Sequence, residues 1–298
     1  MAKSIMLQGT ASGVGKTILT LALCRIFKQD GYSVAPFKAQ NMTSNTCQTV
    51  TGDEIAISQW IQAMAAGIEP SVDMNPVILK PSTEQKATQI ILNGKSYDTV
   101  DAYNFNEIKR KLAPEIMEAY FRLCDKYDVV VIEGAGSPVE LNLNKDDIVN
   151  MGMAKRAKAP VLLVSDIDRG GGFASLYGTL NLMDERERPH VKATIVNRFM
   201  GDSTQFADGV KILEDITKLP VAGVIPYIEI NLPEEDGLVE DGLIEDGLVD
   251  GGRPFVLQGD IKGLPADIEK QYDSIADSVR SSLDMGLIYK ILDEGIEM

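Results

Sequence analysis

The sequence predicts a doubly wound α/β fold on a mostly parallel sheet, with a P-loop of the NTPase type on its first strand. Three observations carry this reading. A short apolar run, Ile5-Met6-Leu7, leads into a glycine-rich loop that closes on Gly15-Lys16-Thr17. Continuous apolar runs recur at 128–132, 161–164, 193–196 and 221–225, as strands buried on both faces require. Helical apolar patterns separate those runs, and such alternation builds a parallel sheet.

Taken in order, Ile18, Leu19, Leu21, Ala22, Leu23, Ile26 and Phe27 mark a helix behind the loop, with Gly31 just past its end. Ser33 to Phe37 reads as a second strand that runs into Lys38-Ala39-Gln40-Asn41. Asp53 to Ala66 reads as a helix stopped by Gly67. Prolines punctuate the stretch from Pro70 to Pro81, leaving a short strand at Val77 to Leu79. Thr88 to Leu92 reads as an edge strand before an Asn93-Gly94 turn. A long helix over Asn106 to Tyr127 precedes the four later strands. Those strands end in Glu133-Gly134-Ala135-Gly136, in Ser165 to Gly172, in Asn197-Arg198-Phe199 and at Pro226. Ligands of such sheets sit at the carboxyl ends of the strands, where these polar clusters fall.

From Glu235 the character changes to EDGLVEDGLIEDGLVDGG, a charged five-residue repeat that reads as a self-repelling linker. Its acids do not have the spacing of a calcium loop. Asp267 to Leu292 then reads as one helix, with Ile268, Tyr272, Ile275, Val279 and Leu283 on one stripe. The expected organisation is a main domain over 1–232, a linker over 233–263 and a helical tail over 264–298. The tail is expected to dock on the main domain or on a partner.

The chain has 298 residues and a formal net charge of −15. Nine of its acids fall between Lys218 and Arg253, where no base occurs. Acidity of this kind argues against non-specific nucleic-acid binding. No apolar run has the length of a membrane span, and the three cysteines have no metal spacing. The sequence reads as cytoplasmic, with reduced thiols.

The loop residues Gly9, Thr10, Gly13, Val14, Gly15, Lys16 and Thr17 are the candidates to hold a nucleoside triphosphate. Glycines let backbone N–H groups converge on phosphate oxygens, and the helix N-terminus adds its dipole. Lys16 would reach the β/γ-phosphates and the Thr17 hydroxyl would hold Mg²⁺. Five residues separate Gly9 from Gly15, one more than in the common spacing. Glu133, behind a buried strand, is placed as the metal-binding acid. Glu54 or Asp53 is the candidate third ligand, with dipole-complementing acids at a helix start as the alternative. Lys38 is placed to neutralise a substrate carboxylate or a developing acyl phosphate. Asn197 offers a donor and an acceptor to an adenine edge, and Pro226, at the end of the last strand, is counted with the nucleotide contacts.

At these residues the chain resembles the dethiobiotin synthetase-like amidoligases and, among them, the cobyric acid synthase family. The resemblance rests on Gly9-Thr10 with Val14 to Thr17, KAQNM (Lys38 to Met42), MNPVILKP (Met74 to Pro81) and VVVIEGAGSPVELNL (Val129 to Leu143). It extends to DIVNMGMA (Asp147 to Ala154), DIDRGG (Asp166 to Gly171), LPEEDGL (Leu232 to Leu238) and the tail. It implies ATP and Mg²⁺ as cofactors and ATP-dependent amidation of corrin carboxylates through an acyl phosphate. By the same resemblance Lys38, Gln40, Asn41, Asn75, Lys80, Ser137, Asp166 and Asp168 face the substrate, and Lys16, Lys38 and Glu133 are the catalytic set.

In that family ammonia normally comes from a fused glutaminase domain, and the acidic repeat stands in its place. A glutaminase of that class needs Cys, His and Glu together. The only histidine is His190, and no cysteine sits in a Gly-x-Cys-x-Gly elbow. Ammonia is therefore expected from solution or from a separate glutaminase subunit, and a homodimer is a further expected assembly. Two alternatives stand beside this reading. One is a dethiobiotin synthetase-like ligase acting on another carboxylate or carbamate; the other is a non-catalytic nucleotide-binding module. A partition-type switch ATPase is disfavoured, because Ala11 stands where those proteins carry a second lysine.

Overall fold

Every residue of β1 (Lys3–Gly9) except the first is buried, and the chain winds outward from it. The structure, a computed structural model, describes residues 2–82, 87–101, 105–142, 146–229, 232 and 266–296. The acidic repeat lies outside the described residues.

After β1 come α1 (Lys16–Gln29), β2 (Val34–Phe37), β3 (Gln40–Met42), β4 (Thr46–Gln48), β5 (Glu54–Ala56) and α2 (Ile57–Ala66). A meander of β6 (Val77–Ser82), β7 (Ala87–Leu92) and β8 (Lys95–Asp101) precedes α3 (Phe105–Cys124). The alternating half follows as β9 (Val129–Glu133), α4 (Met151–Ala157), β10 (Val161–Asp166), α5 (Gly172–Leu182), β11 (Val191–Phe199), α6 (Ala207–Thr217) and β12 (Val221–Pro226). The tail forms α7 (Ala266–Ser282) and α8 (Met285–Glu294).

The main sheet has six strands in the order β12-β11-β10-β1-β9-β2. All five pairings are parallel. The expected strands at 128–132, 161–164, 193–196 and 221–225 all lie in it, as does the one at 33–37. All but the edge strand β12, where only Ala222 and Ile225 are buried, bury both faces, because helices cover the sheet above and below. The chain leaves β1 towards β2, returns to β9, and then crosses β1 to reach β10. That reversal opens a crevice at the carboxyl ends of β1, β9 and β10. Register fixes its floor: Leu7 lies beside Glu133, and Gly9 beside Val164.

Three local expectations are corrected. Asp53 and Glu54 do not open a helix. Glu54 starts β5, which pairs antiparallel with β4, and α2 begins only at Ile57. The polar backbone there is taken by neighbours, with the Glu54 N–H donating to the Gly94 carbonyl at 3.0 Å. The strand near Thr88 is not an edge strand, since β7 has β6 on one side and the unexpected β8 on the other. Its second partner follows from the Asn93-Gly94 turn, whose φ values of 49° and 78° suit a tight hairpin. The segments Gln40–Met42 and Val77–Ser82 pair in parallel and join the meander in a second, four-stranded sheet. The tail is two helices rather than one. Leu283 bridges Gly223 in antiparallel fashion, and the Asp284 N–H donates to the Ala222 carbonyl at 2.8 Å. The Asp284 side chain then caps α8 by accepting from the Leu287 N–H at 2.9 Å.

One continuous core joins the sheet, α1, α2 and the tail: Leu23, Phe27, Met64, Tyr272, Val279 and Ile288 are all within it. Among the described residues no helix is long and apolar enough to cross a membrane.

Candidate nucleotide site

The loop between β1 and α1 is shaped by its glycines. Gly15 precedes α1 with φ of 94°, and a Cβ there would run into the Asn197 side chain. Asn197, from the end of β11, donates its amide to the Val14 carbonyl at 2.8 Å. Its nitrogen thus braces the loop itself. Thr10 links the other end of the loop to β10, through its hydroxyl to Ser165 at 3.4 Å and its N–H to the Val164 carbonyl.

Lys16 is 6 % exposed, and its ammonium donates to the Ala11 and Gly136 carbonyls at 3.0 and 3.3 Å. It is therefore held along the inside of the loop. The Thr17 hydroxyl donates to Glu133 Oε1 at 2.9 Å. Lys38 Nζ reaches the same oxygen at 3.0 Å, and neither the Lys38 nor the Glu133 side chain is more than 7 % exposed. Gln62 Nε2 holds the other oxygen, Oε2, at 2.7 Å and also donates to the Thr17 carbonyl at 3.1 Å. Sequence separations of 71 to 116 residues thus close on a single carboxyl group.

The substrate-side candidates are held by separate sets of partners. Asn75, fully buried, donates to the Lys38 carbonyl at 3.0 Å and so supports the lysine's backbone. Asn41 donates to Ser58 and Gln59, both at 3.0 Å, while Gln40 is buried with Oε1 unpartnered. Ser137 is 6 % exposed, in the turn after β9. At the end of β10, Asp166 accepts from Arg198 at 2.9 Å and from the Asp168 N–H at 2.8 Å, with Asp168 itself exposed. Glu54 and Lys80 pair with each other, and Glu54 also accepts from Thr46. The Glu54 carboxyl thus ties β4, β5 and β6 together. Pro226 pairs with Phe199 at the ends of β12 and β11.

Two contributors were hidden in the sequence. Asn150 accepts from the Ala135 N–H at 3.1 Å and donates to the Ala135 and Ser137 carbonyls, which shapes the turn after Glu133. Its signal was the Asp147-x-x-Asn150 spacing, for Asp147 caps the Val149, Asn150 and Gly152 N–H groups. Gln62 had only one signal, a second amide three residues after Gln59 in a mostly apolar helix.

All three thiols are shifted up. Burial, with a smaller contribution from the Glu133 charge, pushes Cys24 up. Burial carries Cys47 up to about 12 and raises Cys124. His190 lies apart, between α5 and β11, and is shifted down by burial and then by Lys155 and Lys192.

A family model described as CbiA, the CobQ/CobB/MinD/ParA nucleotide binding domain, matches residues 5–239. The chain belongs to this family. As a CobQ/CobB/MinD/ParA nucleotide-binding domain, it carries the family's phosphate loop on its central strand. It is 52 % identical over 235 residues to a cobyric acid synthase of Clostridium acetobutylicum, covering 79 % of this chain and 48 % of that relative. A cobyric acid synthase of Lachnoclostridium phytofermentans is 53 % identical over 244 residues, covering 80 % and 47 %. The chain thus spans about half the length of the curated relatives it matches. Among solved structures, the Aquifex aeolicus MinD cell division protein aligns with a TM-score of 0.42 at 16 % identity, covering 76 % of this chain and 83 % of that one.

Proposed function

We propose that the chain is an ATP-dependent amidoligase that converts peripheral carboxylates of a corrin into carboxamides. The observation that carries this reading is the meeting of Thr17 and Lys38 on Glu133 Oε1, beside Lys16, in a chain about half identical to cobyric acid synthases. A kinase-type site needs Lys16, Thr17 and Glu133. Lys38, just past the end of β2, is the added feature, and it suits an acceptor that is itself an anion.

In this reading Lys16 and the loop N–H groups hold the β- and γ-phosphates. Thr17 Oγ1 and Glu133 Oε1 are hard oxygens 2.9 Å apart, a donor set that suits Mg²⁺ bound otherwise by phosphate and water. The metal would supply neutralisation of charge at the leaving oxygen. Lys38 brings the substrate carboxylate to the γ-phosphorus against its negative charge. A carboxylate oxygen forms a bond to phosphorus, the bond to the β–γ bridging oxygen breaks, and ADP leaves. Ammonia then attacks the acyl carbon, the bond to phosphate breaks, and the new amide loses a proton. In this reading the ammonia comes from solution or from a glutaminase.

The test is direct. The protein with ATP, Mg²⁺, ammonium and adenosylcobyrinic diamide should release ADP in step with amidated corrin, and Lys38→Met should suppress both by at least ~100-fold. If neither ADP nor amidated corrin appears, with ammonium or with a glutaminase and glutamine, the enzymatic reading is wrong.

A further inference from the structure

Glu133 is reached from a second direction by a file of buried carboxamides. Asn41 Nδ2 donates to Gln59 Oε1 at 3.0 Å, Gln59 Nε2 donates to Gln62 Oε1 at 3.4 Å, and Gln62 Nε2 donates to Glu133 Oε2 at 2.7 Å. Gln59 and Gln62 are wholly buried, Asn41 is 2 % exposed and Glu133 is 1 % exposed. The direction of the file is set by chemistry. Gln62 Nε2 also meets the Thr17 carbonyl, which can only accept, so the nitrogen must face that way and Oε1 must face Gln59. Gln59 must then turn its own nitrogen to Gln62 and its oxygen to Asn41. Each amide polarises the next in the same sense, with the donor end at Glu133.

We infer that Gln59 and Gln62 are positioning residues, forming an amide relay that couples the β3 segment to the carboxyl group facing Thr17. The relay occupies Oε2 and leaves Oε1 to Thr17 and Lys38. It also joins the second sheet, through Asn41 on β3, to the phosphate loop through the Thr17 carbonyl. Occupation of the β3 side is thereby felt at the carboxyl group. The inference rests on the proposed nucleotide and metal site for its functional consequence, and on contacts alone for the coupling.

Two measurements test it. In the first, ATP binding is titrated by calorimetry across a range of Mg²⁺ concentrations. Gln62→Met, which keeps the length and removes the amide, should raise the Mg²⁺ needed for half-maximal binding about 10-fold, in the range seen when residues that orient metal ligands are removed. Gln59→Met should shift it in the same direction by less. Trp60→Leu, a packing change in the same buried helix, should lower the urea midpoint and leave the Mg²⁺ requirement alone. An unchanged requirement in Gln62→Met overturns the inference. The second measurement is a urea double-mutant cycle of Gln59→Met and Gln62→Met without nucleotide. Sub-additive losses support the relay, and additive losses overturn it. Should the unaltered protein bind no Mg²⁺-ATP, the nucleotide reading fails by itself, and the cycle still decides whether the amides act as one unit.

Discussion

Gly13 and Gly15 both occupy left-handed backbone, with φ of 70° and 94°, yet they tolerate change differently. A Cβ on Gly13 would point into open space, whereas one on Gly15 would meet the Asn197 amide. Gly13→Ala should therefore cost only the left-handed penalty of about 1–2 kcal/mol. Gly15→Ala should cost more, because it also breaks the Asn197 to Val14 bond and frees the loop. Urea midpoints and ATP affinities of the two variants check this, and equal losses would contradict it. The sequence made the loop glycines, Lys16 and Thr17 legible, since their spacing along one short stretch is itself the signal. It did not reveal what Asn197 does. An amide after a strand can read a base or brace a backbone, and only the fold brings it to Val14. Glu54 shows the same limit: its neighbour in sequence is a helix, but its partner in space is Lys80.

At the scale of elements, arginines tie the joint between α1 and α7. Arg25, with its side chain 8 % exposed, pairs with Glu269 at 2.8 Å and Asp273 at 2.7 Å and also donates to the Ala65 carbonyl. One guanidinium thus ties α1 to α2 and α7 together. Arg280 repeats the device at the end of α1, with its two terminal guanidinium nitrogens on Asp30 at 2.9 Å. Since the acids are 41 % and 47 % exposed, solvent screens the Arg25 pairs. Arg25→Ala should then lower stability by about 1–2 kcal/mol, mostly through the buried hydrogen bonds. An unchanged urea midpoint would show that the clamp adds nothing. The stripe on the tail was legible as an apolar face. Its break into α7 and α8 was not, because a bridge to Gly223 on a strand more than fifty residues away imposes it.

Over the whole molecule, the sheet and the tail are one structure. Tyr272, Ile275, Val279, Leu283, Ile288, Ile291 and Leu292 of the tail lie in the same core as β1 and α1. Each such side chain contributes about 1.5–3 kcal/mol on burial, so together they rival the net stability of a typical domain. The polar rim of this joint is sensitive to acid. The Arg25 hydrogen bond holds the Asp273 carboxyl below the usual carboxylate range. Burial alone would raise Asp30, but hydrogen bonds from Arg280 and Tyr289 outweigh it and hold it low as well. Both groups thus have a lower pKa folded than unfolded. The stability they lend is complete above about pH 4 and is lost as pH falls through their folded values. The gap in urea stability between the unaltered protein and Arg25→Ala with Arg280→Ala should accordingly narrow below about pH 4. A gap that stays constant down to pH 3 would exclude this account.

The sequence by itself determined the doubly wound class, the six strands of the main sheet and the phosphate loop. Those features are written in runs of neighbouring residues, where periodicity and glycine spacing act locally. Tertiary structure alone decided that Glu133 is gripped by Thr17, Lys38 and Gln62, and that a buried amide file reaches it from Asn41. Those partners lie on different elements, and a hydrogen bond depends on distance and direction in space, which chain position does not carry.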